Sequence, residues 1–159
     1  MEVKLTAKIN AQDIYDYMMY HQYTSPAGVI GSGVGALLIV AFFLDHQWIF
    51  LIAGAIILLY LPWTLFLKSR QQALTNPVFK QELQYVLNED GLTISQGEES
   101  QTQKWEDMYK AVSTGRSIIV YTSPINATIL PKRCMGDLRS GVIQIISTYM
   151  PAKKVKIRQ

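Results

Sequence analysis

The rhythm of polar and apolar positions changes along this chain, and each rhythm predicts a different kind of element. Residues 3–9 alternate strictly, with Val3, Leu5, Ala7 and Ile9 on one face and Lys4, Thr6 and Lys8 on the other, the pattern of a half-buried strand. Asn10 then offers a helix cap and Asp13 suits the positive end of the helix dipole, so a helix is predicted to run to Tyr23. Its Ile14, Tyr15, Tyr17, Met18, Met19 and Tyr20 suit two settings equally: a helix lying at a membrane interface, and a helix packed on a cytoplasmic domain.

Across residues 26–67 the alternation vanishes. Almost every position is apolar, interrupted only at Asp45-His46-Gln47, and no charge falls between Pro26 and Leu44 or between Trp48 and Leu67. Each half has about the length that crosses a hydrocarbon core of roughly 30 Å, so a transmembrane helical hairpin with antiparallel helices is predicted. Trp48 would mark the outer interface, and Tyr60 and Trp63 the inner one; Pro62 removes a backbone donor and is expected to kink the second helix. Small residues gather in the first span. Gly31 and Gly35 form a GxxxG pair, and Gly28, Ser32 and Ala36 share a face, which allows close backbone approach either to the second span or to another subunit, leaving a homo-oligomer open. Apart from tyrosine, neither span carries an ionisable side chain, which argues against a proton relay or ion path through the hairpin alone.

Beyond Lys68-Ser69-Arg70 the pattern becomes that of a soluble domain. The helix continues to Leu74, Asn76-Pro77 interrupts it, and the rhythm from Leu83 is nearer two. Strands are predicted at residues 83–88 and 92–96 around the turn Glu89-Asp90-Gly91, then at 101–108, 111–114, 117–122 and 127–130. Asp137 is read as the cap of a final helix whose Leu138, Val142, Ile145 and Tyr149 share one face, with Pro151 ending it before a basic tail of Lys153, Lys154, Lys156 and Arg158.

With the N-terminal strand, this makes seven strands and one closing helix. The fold class expected is an α+β membrane protein: a transmembrane helical hairpin plus a PH-like antiparallel β-roll closed by a C-terminal helix. Residues 1–25 form the N-terminal strand and interfacial helix, 26–67 the hairpin, 68–82 a connector, 83–150 the PH-like domain and 151–159 the tail. Strands following the hairpin cannot by themselves hide both sheet edges, so the N-terminal strand is predicted to join the C-terminal sheet.

Composition changes this picture in a few respects. Charged residues make up 17% of the chain, below the usual share of about 25%, as lipid-embedded segments require. All 15 Lys and Arg lie outside the hairpin and flank it on one side, which predicts both termini in the cytoplasm and residues 45–47 outside. Glu2, Asp13 and Asp16 disfavour a cleaved secretory leader. The net charge of +3 suits a domain held near anionic lipid and is too small and scattered to point to nucleic acid. A single Cys134 excludes an internal disulfide framework.

One family resemblance emerges from short cues: Asp13-Ile14-Tyr15-Asp16-Tyr17, Glu89-Asp90-Gly91-Leu92, Trp105 with Glu106-Asp107-Met108, Val112-Ser113-Thr114, Tyr121 and Ile129-Leu130-Pro131-Lys132-Arg133. Set around two spans, they resemble the bacterial YcxB-like proteins. The resemblance implies a small multi-pass protein of the bacterial cytoplasmic membrane with a cytoplasmic C-terminal domain and no assigned catalytic activity.

Pro131-Lys132-Arg133 is the most distinctive candidate group. Its two cations at a strand end suit a lipid phosphate or an acidic partner; the plainer alternative is a strand end paired with nearby carboxylates. Lys153, Lys154 and the rest of the tail invite the same two readings, anionic lipid contact or solvation. Trp105 reads as core within a strand. Cys134 lacks a His or second Cys to complete a catalytic set, His21 and His46 are separated by a span, and the strand predicted for Glu106-Asp107 would point these carboxylates apart. Walker, GxSxG and HExxH motifs are absent. The expected function is a non-enzymatic interaction or regulatory module presenting a PH-like domain at the inner face of the membrane, without cofactor, metal or nucleic acid, and with membrane lipids and a protein as partners. The alternative is an anionic lipid headgroup binder working through Lys132, Arg133 and the tail.

Overall fold

Two sheets share one core in the computed structural model of the protein, which describes residues 2–157. The first is antiparallel, in the order β1 (Val3–Ala7), β2 (Leu83–Leu87), β3 (Gly91–Gln96) and β4 (Glu99–Lys104). The second has the order β7 (Ala127–Pro131), β6 (Ser117–Tyr121), β5 (Lys110–Ser113) and β8 (Val155–Lys156). Helix α4 (Arg139–Tyr149) lies between β7 and β8 in the chain.

The alternation of residues 3–9 finds its use here. Val3, Leu5 and Ala7 are buried while Lys4 and Thr6 stay exposed, and Leu5 stands opposite Tyr85 in the β1–β2 ladder. These side chains join Leu87, Leu92, Ile118, Val120 and Leu130 from the strands, with Val142, Ile145, Ile146 and Met150 contributed from α4 and its end. Every residue of β6 is buried, because its two faces serve different layers. Ile118 and Val120 face the shared core; Ile119 and Tyr121 pack with Val112 beneath Tyr17 and Tyr20 of α1 (Ala11–Tyr23).

Helix α1 starts at a reciprocal cap. The Asn10 side chain accepts from the Gln12 and Asp13 amides, and the Asp13 carboxylate accepts from the Asn10 amide. Its aromatic and Ile side chains pack on the second sheet and the core, while Tyr15 meets Phe66 edge to face at 6.1 Å between ring centroids.

Helices α2 (Pro26–Asp45) and α3 (Trp48–Thr75) are long and apolar enough to cross a membrane, and lie side by side as an antiparallel pair. Their outer surfaces carry exposed Ile30, Leu37, Phe43, Ile49, Ile56 and Leu59. His46, at φ 55° between the two helices, closes α2 in the left-handed region. Helix α3 continues through Pro62 to Thr75.

Of the small residues in α2, Gly35 makes the close approach. A Cβ there would lie 2.8 Å from Leu58, and one at Gly54 would lie 2.8 Å from the Gly35 carbonyl oxygen. Gly28 instead abuts the last turn of α1, where a Cβ would fall 2.0 Å from the Gln22 carbonyl oxygen. Ser32 is half-buried, and Gly31 has open space around it. Gly35→Val is therefore expected to destabilise the helix pair by about 1–3 kcal/mol, and Gly31→Val to leave it unchanged. Thermal unfolding in detergent, followed through Trp48 and Trp63, measures the difference.

Several local expectations need correction. The strand predicted over residues 101–108 ends at Lys104, and Trp105–Asp107 forms a 3₁₀ turn. The chain must leave the first sheet for the second there, and the buried Trp105 anchors the corner by donating its indole N–H to the Asn88 carbonyl at 2.8 Å. Glu106 and Asp107 are thus exposed turn residues rather than opposite faces of a strand. Asp137 does not cap α4: it lies in the 3₁₀ turn Gly136–Leu138, and α4 starts without a side-chain cap. Leu138 precedes the helix and is exposed, as is Tyr149, so the buried face is that of Val142, Ile145 and Ile146.

The tail is ordered as far as it is described. Val155 and Lys156 pair in parallel with Ala111 and Val112, which gives eight strands among the described residues and makes the second sheet mixed. Arg158, assigned above to the basic tail, lies outside the described residues.

Candidate functional site

Polar groups from distant parts of the chain meet where α1 crosses the second sheet. Arg133, in the 3₁₀ turn Lys132–Cys134 after β7, donates to the Asp13 carboxylate at 2.6 Å and to the Lys8 carbonyl at 2.7 Å. The Asp13 side chain is 3% exposed and that of Arg133 47% exposed. The hydrogen bond that Arg133 donates to Asp13 raises the Arg133 pKa above its ordinary value, against the opposing effect of burial. Arg133 also donates to Cys134 Sγ at 3.3 Å.

Lys132 turns inward. Its Nζ donates to the Thr114 carbonyl, and its backbone N–H donates to the Arg116 carbonyl at 2.8 Å. Burial lowers its pKa, assisted by the nearby Arg139 charge. Thr114 is itself bound to α1, since its hydroxyl donates to the Asp16 carboxylate. Arg116 donates to Gln12 Oε1 at 2.7 Å, and the Tyr17 hydroxyl donates to the Ile125 carbonyl at 2.8 Å. The cations Lys132 and Arg133 thus both turn to oxygens of the same chain beside α1, Lys132 to a backbone carbonyl and Arg133 to a carboxylate and a backbone carbonyl.

Lys154 lies elsewhere, donating to the carbonyls of Met108 at 2.8 Å and Glu106 at 3.3 Å, and so ties the tail to the corner after β4. Lys153 is exposed. Sequence reasoning missed the carboxylates Asp13 and Asp16 as partners of this junction. Their signal was an acidic residue at the third helical position and another one turn onward, which locally suits the helix dipole alone.

A second polar–aromatic group adjoins this one. Lys110 Nζ lies 4.5 Å from the Tyr121 ring centroid, and His21 stacks on both Tyr17 and Tyr121. The Tyr121 hydroxyl is buried with no hydrogen-bond partner among the described residues. Tyr121→Phe is expected to leave stability unchanged or raise it by about 1 kcal/mol, because an unpaired buried hydroxyl opposes folding. Burial raises the pKa of both Tyr85 and Tyr121 above the ordinary 10.0. Above pH 10 the unfolded chain releases these protons while the folded chain retains them, so stability falls with rising pH. The Tyr121→Phe variant should show a shallower alkaline loss in thermal unfolding midpoints measured between pH 8 and about pH 11.

Fold and junction together define a class: an α+β chain whose two-sheet domain is bolted, through α1, to a pair of long apolar helices. Within it, residues 87–141 match the family model described as YcxB-like protein, so this stretch is similar to the family that the sequence motifs resemble. The matched stretch contains the corner at Trp105, the Thr114–Arg116 turn and Lys132-Arg133. No curated protein and no solved structure matches the chain.

Proposed function

We propose that the chain is a non-enzymatic interaction or regulatory module of the bacterial cytoplasmic membrane, in which α2 and α3 span the bilayer and present a PH-like domain at its inner face to a protein partner. The apolar outer surfaces of both helices and the clustering of Lys and Arg on one side of the pair support the membrane placement. Two packed sheets with a C-terminal helix contributing to their core support the PH-like reading. One observation carries the proposal. Strands β1 and β2 are neighbours in one sheet although both apolar helices lie between them in the chain. A bilayer crossed twice leaves both strands on the same side, so the anchor is an insertion between two paired strands of the domain.

The alternative, lipid headgroup binding through Lys132, Arg133 and the tail, has weaker support, because Lys132, Arg133 and Lys154 each donate to oxygens of the same chain. The test replaces residues 26–67 with a flexible Gly/Ser linker. The full chain should remain with membranes after alkaline carbonate extraction. The linker variant should be soluble, keep its sheets, and form the same protein adduct as the full chain when photo-crosslinkers are placed on the domain surface. Release of the full chain by carbonate would overturn the anchor. Turnover of a metabolite by the purified protein would overturn the non-enzymatic reading.

A further inference from the structure

A groove of about 840 Å³ opens between α1, α3 and the β5–β6 turn. Its lining combines the apolar Tyr15, Met19 and Phe66 with the cationic Arg70 and Arg116. We propose that this groove binds the phosphate of an anionic phospholipid, with the adjoining glycerol and acyl carbons against the apolar residues. The inference goes beyond the proposed function and rests on its placement of α2 and α3 in the bilayer.

The height of the groove supports a lipid. Gly35 packs against Leu58 and Gly54 against Ile39, an antiparallel register that carries Pro26, the start of α2, to the level of Leu67. Phe66 and Arg70 therefore straddle the point where the apolar run ends and charge begins with Lys68. A phospholipid changes from carbon to phosphate at this same depth.

The donors are also suitably arranged. Arg70 lies over the Phe66 ring at 4.7 Å from its centroid, which holds the planar guanidinium against an aromatic wall. Arg116 uses one N–H on Gln12 Oε1, and a guanidinium has several others to offer. Asp16 also lines the groove, but its carboxylate accepts the Thr114 hydroxyl, and two arginines against one carboxylate leave the groove net positive. Forked guanidinium donors suit phosphate oxygens, whereas a zwitterionic choline headgroup adds a cation that this groove would repel.

The experiment uses the full chain purified in an uncharged detergent. It is mixed separately with phosphatidylglycerol, phosphatidylcholine and glycerol 3-phosphate, and retained ligand is counted by native mass spectrometry alongside the thermal midpoint. Phosphatidylglycerol should be retained at least tenfold better than phosphatidylcholine and should raise the midpoint. Arg70→Gln with Arg116→Gln should abolish that preference. Met19→Trp, which fills the groove without altering charge, should reduce retention of phosphatidylglycerol. Lys153→Gln with Lys156→Gln should change neither readout.

Equal retention of the two lipids, or a preference that survives the arginine substitutions, would overturn the site. Glycerol 3-phosphate reproducing the full midpoint shift would make the occupant a free phosphate and overturn the lipid assignment. A protein that needs detergent yet ignores phosphatidylglycerol would sink the groove alone; one that stays dispersed without detergent would sink the membrane placement beneath it.

Discussion

A Leu5→Asp variant is expected to lose its folded C-terminal domain, although the substitution precedes that domain by both apolar helices. Leu5 is 5% exposed in the centre of β1, opposite Tyr85, and an aspartate there would place a carboxylate in the core. An unpaired buried charge costs several kcal/mol, about 3–5 by analogy with broken buried pairs. Loss of leucine burial adds about 2 kcal/mol. Together these approach the whole stability of about 5–15 kcal/mol usual for a domain. Thr6→Asp, one residue on and facing outward, should change stability by less than about 0.5 kcal/mol. With Trp48 and Trp63 replaced by Phe, the emission of Trp105 reports on the domain directly. Native emission from Leu5→Asp would show that β1 is dispensable to the sheet.

Arg133→Ala should destabilise the protein more than Asp13→Asn, although the two side chains form one ion pair. The asymmetry follows from their unequal burial, 3% exposed for Asp13 and 47% for Arg133. Removing the arginine leaves a buried carboxylate with the Asn10 amide, and also frees the Lys8 carbonyl, at a cost of about 3 kcal/mol. Asp13→Asn keeps an oxygen for the Asn10 amide and leaves a half-exposed guanidinium that water can solvate, so the cost is about 1 kcal/mol. Urea midpoints of the two single variants and the double variant decide the matter. Equal losses would mean that Asp13 is not the buried member. An additive double variant would mean that the pair is not coupled.

The elements legible in the sequence were those with a local cause. The alternation of residues 3–9, the Asn10 cap, the uncharged runs on either side of residues 45–47 and the turn at Asn88–Gly91 each fix their own segment. The apolar run at residues 118–121 marked a strand, but that both of its faces are covered, the outer one by α1, appears only in the structure. The corner at Trp105 was hidden because strand-like composition continues through it, and it turns only because Asn88 and the second sheet draw the chain away. Strand β8 was hidden for a related reason: a two-residue parallel pairing with β5 leaves no periodicity of its own. At the candidate junction, Lys132 and Arg133 stood out by charge, whereas the carboxylate that engages Arg133 lies 120 residues earlier. The groove was likewise invisible, since Arg70 and Arg116 become neighbours of one space only after α1 docks on α3.

The most direct test of the account is the sidedness of single cysteines in a Cys134→Ser background. Glu2→Cys, Gln47→Cys and Lys153→Cys are placed one at a time and exposed to a membrane-impermeant maleimide on intact cells, then again after lysis. The account predicts labelling of position 47 on intact cells and of positions 2 and 153 only after lysis. Labelling of positions 2 and 153 from opposite sides, or protection of position 47 until lysis, would contradict it.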